Sequence, residues 1–178
     1  DLVRSRGLGD VYKRQTVRRM ALEATRALGE AGIALLEAHV RGGGLPAAGE
    51  LTRRAPSRAL GALLGRLAAA PEAERPSLRP LMLEAARRAP EAELGAVFTR
   101  GLEGLAPLAR AEVALVAAEV PTAHSVAVEI AATLLDAPDL GEDFALRHKV
   151  LLITRSLPPP SRTPALTAFA RRAIDAEE

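Results

Sequence analysis

Apolar residues return every three or four positions along nearly the whole chain, in short runs that each stop at a Pro or a Gly. The ten-residue stretch LMLEAARRAP, 81 to 90, has four counterparts: MALEATRALG ending at Gly29, AAGELTRRAP at Pro56, EVALVAAEVP at Pro121 and KVLLITRSLP at Pro158. Each closes one amphipathic helix and precedes a second. The pattern therefore predicts five helix pairs. The first is Val17 to Leu28 with Ile33 to Val40, where Met20, Ala24, Ala27 and Leu28 make one stripe and Ile33, Leu36 and Val40 the other. The second is Pro46 to Ala55 with Arg58 to Ala70, carried by Leu60, Leu63, Leu64 and Leu67. Pro56 forces Ala55 out of the α region and so separates the two.

In the third pair Leu78, Leu81, Met82, Ala85 and Ala89 face one way, followed by Leu94, Val97, Phe98 and Leu102. The fourth runs from Pro107 to Val120 and from Thr122 to Asp136, with Val126, Ile130 and Leu134 on its second stripe. The fifth is Phe144 to Leu157 with Pro164 to Ile174, where Thr163 is placed to cap and Leu166, Phe169, Ala170, Ala173 and Ile174 form the stripe. Residues 71–76 and 137–143 read as linkers, and Gly42, Gly43 and Gly44 as a hinge. The anchors Gly29, Pro56, Pro90, Pro121 and Pro158 are spaced by 27, 34, 31 and 37 residues. A single pair cannot hide both its stripes, whereas stacked pairs can, so a period of about 32 residues with two helices per unit predicts an all-α solenoid.

Composition agrees with helices. Ala, Leu, Arg and Glu dominate, and runs of β-branched residues are nearly absent. There is no Cys, which excludes disulfides and thiolate metal sites. No apolar run approaches the roughly 18 residues of a membrane helix, so a soluble, cytoplasmic chain without a membrane partner is expected.

Ser5 to Gln15, SRGLGDVYKRQ, resembles the translation of a transposon-end sequencing adapter and holds the only Tyr and the only Gln. Residues 1–15 are accordingly expected to stand outside the fold, with the repeat domain covering 16–178 and beginning further upstream in the natural protein. Arg4, Arg6, Lys13 and Arg14 against Asp1 and Asp10 account for the whole formal charge of +2; the remainder is formally neutral. Nucleic acid is disfavoured as a partner on that ground.

Segments VRRMALEATRALGEAGIALLEAHV (17–40) and LRPLMLEAARRAPEAELGAVF (78–98) resemble HEAT-type repeats in their shorter bacterial form. The resemblance covers essentially Thr16 to Asp175, with irregular spacing and without the regular Asp and Arg of the family's repeat. It implies about five antiparallel helix pairs whose second helices line a concave side where partners dock. Arg58, Arg66, Arg100, Glu129, Arg171 and Arg172 would then be the contact residues. A tetratricopeptide array would need Trp, Tyr and Phe at fixed positions, which this chain lacks. A non-repetitive helical bundle stays open as the alternative.

Three residues before the anchors stands a column, Arg26, Arg53, Arg87 and Arg155, broken by Ala118 and widened by Arg54 and Arg88. Glu23, Glu50 and Glu84 precede it by three, so the column reads as a solvated ladder of ion pairs. The sharper reading is a ridge for an acidic segment or a phosphate backbone, which a salt titration of binding would test. Chemistry is hard to place. His39, His124 and His148 have no His, Asp or Glu four residues away, so no helical metal pair exists. Glu112, Glu119, Glu129 and Asp136 have no spacing that would put two carboxylates on one face in an apolar pocket, and Ser57, Ser77, Ser125, Ser156 and Ser161 stand where caps do. No catalytic, cofactor or metal residue is expected. The function expected is a non-catalytic scaffold binding another protein, with an acidic segment favoured. The alternatives are the C-terminal repeat part of a larger enzyme of lyase type, and nucleic-acid binding along the arginine ridge.

Overall fold

The computed structural model describes residues 19–175, with side chains to residue 172; the adapter-like leader and the expected start of the first helix at Val17 lie outside these. The described chain is all-helical. Helical residues 19–27 form α1, followed by α2 Gly29–Arg41, α3 Ala48–Arg54, α4 Pro56–Ala69, α5 Arg75–Arg88, α6 Glu91–Gly101, α7 Pro107–Ala118, α8 His124–Leu135, α9 Phe144–Ser156 and α10 Pro164–Asp175. Short 3-10 turns fill most linkers, at Leu45–Ala47, Glu72–Glu74, Pro121–Ala123, Pro138–Gly141 and Pro159–Ser161. Among the described residues there is no strand, and no helix long and apolar enough to cross a membrane.

The five anchors lie between the first and second helix of each pair. Gly29 opens α2 at φ +55°, a conformation that L side chains rarely adopt, so α2 starts there rather than at Ile33. Ala55 is held at φ −151° by Pro56, which is the first residue of α4. Pro90 precedes α6, Pro121 opens the turn that leads into α8, and Pro158 precedes the turn that leads into α10. Thr163 caps α10, its Oγ1 accepting from the Leu166 amide at 3.3 Å. Asp143 does the same for α9, accepting from the Leu146 amide at 2.9 Å, a cap inside what reads as a linker.

Packing follows chain order. Helix α2 lies against α4, α4 against α6, α6 against α8 and α8 against α10, while α3 lies against α5, α5 against α7 and α7 against α9. The core runs between these two series. Leu60, Leu63, Leu64 and Leu67 of α4 are fully buried, each worth about 1.5–3 kcal/mol of apolar transfer. Leu78, Met82 and Ala85 of α5, Leu94 and Phe98 of α6, and Ile130 and Leu134 of α8 are buried as their stripes predict. Helix α7 is buried on all sides from Ala111 to Ala118, the centre of the molecule.

The first stripe does not follow the pattern. Met20 and Leu28 are 61% and 52% exposed, and Ala24 and Ala27 are also exposed. Helix α1 instead turns Leu22 and Thr25 inward, because Gly32 lets α2 approach it there: a Cβ on Gly32 would stand 1.8 Å from the Thr25 carbonyl oxygen. The triple glycine is a packed turn rather than an open hinge. Gly43 sits at φ +96°, and a Cβ on Gly44 would stand 2.2 Å from the His39 ring.

Candidate functional site

The arginine column is occupied by carboxylates for most of its length. Arg26 of α1 donates to both carboxylate oxygens of Glu50 in α3, at 2.8 and 3.0 Å, and Arg53 donates to the same group. Glu50 is only 3% exposed, so it is a buried clamp and not a solvated rung of a ladder. Hydrogen bonds from Arg26 first, then Arg53, hold its carboxyl down at about 2 against the usual 4.5. Arg54 reaches back from α3 to the Thr25 carbonyl in the last turn of α1 at 3.1 Å and to that of Gly29, which opens α2, at 2.9 Å, bracing the junction between the two. Arg88 pairs with Glu84 one turn away at 3.2 Å, and Arg87 stands 4.0 Å from Glu119. Arg155 is exposed and has no carboxylate partner among the described residues.

The same device recurs between neighbouring units. Arg79 of α5 reaches Glu119 at the end of α7, and Lys149 of α9 reaches the buried Glu112 of α7. These cross-links hold α1 to α3, α5 to α7 and α7 to α9. Nothing in the spacing along the chain reveals them, because each partner is brought near only by helix packing.

All six proposed contact residues do lie on even-numbered helices: Arg58 and Arg66 on α4, Arg100 on α6, Glu129 on α8, Arg171 and Arg172 on α10. Their environments differ. Arg58 is held by Glu37 and Glu30 of α2, and Arg66 by Glu74 of the 71–76 linker, whose carboxyl it pulls below the usual carboxylate range. Glu129, Arg171 and Arg172 are exposed, and Arg100 is exposed with only a 3.3 Å bond to the Ala96 carbonyl. A groove of about 590 Å³ crosses α2, α4 and α6 and brings Arg58 and Arg100 to one site. Gly61, Gly65 and Ala68 of α4 and Ala92 and Ala96 of α6 make its floor, so small residues leave room above two helix backbones. Glu93 and Glu103 on its wall have no ion-pair partner among the described residues, so the groove is mixed in charge rather than cationic.

A second groove, about 400 Å³ and largely apolar, runs between α1 and α2, lined by Leu22, Leu35, Leu36 and Ala47. Of the serines, Ser77 donates to the Glu74 carbonyl at 2.7 Å and the Ser57 hydroxyl is buried without a partner, so neither acts as the cap its position suggests. Phe98 is fully buried and Phe169 packs against the core. Among the described residues no group of three or more His, Asp or Glu is placed to hold a metal ion. No family model, no curated protein and no solved structure matches this chain.

Proposed function

We propose that the chain is a HEAT-like α-solenoid of about five antiparallel helix pairs, a cytoplasmic, non-catalytic scaffold that binds another protein along its even-numbered helices. The observation that supports this best is the order of packing, in which each helix lies on the one two places along in both series. Such an array exposes a long face built from many helices, which suits an extended partner. The groove over α2, α4 and α6 is the site of choice, because its floor of small residues admits a chain close to the backbone. Arg100 is the contact residue of this groove whose guanidinium has no carboxylate partner among the described residues, whereas Arg58 is held at its edge by Glu37 and Glu30.

Placing a photo-crosslinking side chain at position 100, with position 87 on the odd-numbered face as control, tests this in cells. Discrete protein adducts at 100 and not at 87 are expected. Equal labelling at both positions, or no protein adduct at 100, would overturn the scaffold reading.

A further inference from the structure

The charges of the last third of the chain are sorted into two blocks. From Ala111 to Asp143 there is no Lys or Arg, and from Phe144 to Arg172 there is no Asp or Glu. The second block is α9 and α10. Elsewhere the structure pairs cations with carboxylates as a rule, Arg26, Arg53, Arg58, Arg66, Arg79 and Arg88 among them. In α9 only Lys149 is paired, with Glu112, while Arg147 and Arg155 are exposed and without a carboxylate partner among the described residues. Arg162 folds over the end of α9, donating to the Leu157 and Arg155 carbonyls at 2.9 and 3.2 Å, and has no carboxylate partner among the described residues.

The same helix carries the most exposed large apolar side chain described. Phe144 is 65% exposed and stacks on His148, with ring centroids 6.2 Å apart and planes inclined by 18°. At about 100° per residue, Phe144, His148 and Arg155 fall within a 40° arc of α9, and Arg147 lies about 60° to one side of Phe144. An aromatic anchor is thus lined up with two uncompensated guanidinium groups along about 16 Å of helix. Arg and aromatic residues are the side chains that dominate binding at protein surfaces.

We infer that the exposed face of α9, formed by Phe144, Arg147, His148 and Arg155, binds an acidic polypeptide segment that carries an apolar residue to seat on Phe144. The inference rests on the scaffold reading for the class of partner and adds a second surface, on the odd-numbered helices. A protein segment fits better than a nucleic-acid strand because of what precedes Phe144. Asp136, Asp139 and Glu142 are exposed there, and a strand with a charge at every nucleotide would meet them at once. A polypeptide can set carboxylates against Arg147 and Arg155 and neutral or basic residues against that acidic turn.

Fluorescence anisotropy with a labelled 14-residue peptide, two Lys at one end, a central Leu and four Glu beyond it, tests the site. The same peptide with Ser for Leu, and a ten-nucleotide single-stranded DNA, serve as comparisons. The Leu peptide should bind best; F144A should weaken it about fivefold and R147E/R155E at least about tenfold, while R87E/R88E, with the same change in net charge, should change it less than twofold. Circular dichroism should be the same for all variants, since every substituted side chain is exposed. Absence of peptide binding, or equal loss in all the charge variants, would overturn the inference, and with adducts at position 100 intact only this second surface would fall. DNA bound more tightly than peptide and released by R147E/R155E would assign the face to nucleic acid. If position 100 then also yields no protein adduct, the scaffold reading falls with it.

Discussion

Glu50 is the residue on which most turns. Burying a carboxylate is costly unless it is paired and hydrogen-bonded, and here two guanidinium groups meet that need from opposite sides of a helix junction. Because its folded pKa, about 2, lies below its ordinary value, its contribution is complete above about pH 4.5 and is lost as the pH falls toward 2. That difference corresponds to about 3 kcal/mol, divided between Arg26, which holds α1 on α3, and Arg53 within α3 itself. Helicity followed by far-ultraviolet circular dichroism should therefore drop as the wild-type protein is acidified through this window. Glu74, also held low by Arg66, titrates in the same direction, so the comparison with E50Q isolates the clamp. The E50Q protein should already lack the helicity of α1 at pH 7 and show a smaller drop; identical acid limbs would rule the clamp out. In the sequence, Glu50 and Arg53 are visible as neighbours three apart, and the pair exists. Arg26 is 24 residues away, and its arrival depends on how α1 crosses α3, which no local spacing encodes.

At the scale of the helix, punctuation was the legible part. Pro56, Pro90, Pro107 and Pro164 set boundaries to within a few residues because a missing amide and a fixed φ act locally. Which face turns inward was legible for helices with neighbours on both sides, such as α4 and α6. It was not for α1, whose orientation is decided by close approach rather than by its own apolar count. Glycine carries that information. Gly101 lies under the fully buried Leu64, where a Cβ would come within 2.4 Å of Cδ1 and 2.9 Å of Cβ, so G101A should cost about 1–3 kcal/mol by forcing α6 off α4. At Gly32 the obstacle is backbone, which cannot rotate away, and G32A should separate α1 from α2. At Gly95 in α6 an added methyl group would meet nothing within 4 Å, so G95A should stabilise by about 0.5–1 kcal/mol through helix propensity alone. Urea unfolding of the three variants checks the order; a stabilised G101A would show that α4 and α6 have slack between them.

For the molecule as a whole, the order of packing makes a claim about cooperativity. If every helix pair is stabilised chiefly by the next, a perturbation at one end should stay there. A bundle closed around one centre would instead share the loss among all its helices. The structure offers a matched pair of perturbations, since a buried carboxylate clamps two helices in each half of the chain: Glu50 between α1 and α3, and Glu112 between the central α7 and α9, where it receives Lys149. In E50Q, amide exchange followed by mass spectrometry should quicken in α1 and α2 and stay slow from α7 onward. In E112Q it should quicken in α9 and α10, with α1 to α4 unchanged, because a neutral amide no longer compensates the Lys149 ammonium. The fully buried α7 should exchange last in both. Uniform quickening across all ten helices in either variant would mean one cooperative core, and the period of about 32 residues would then reflect helix length alone rather than a stack of units.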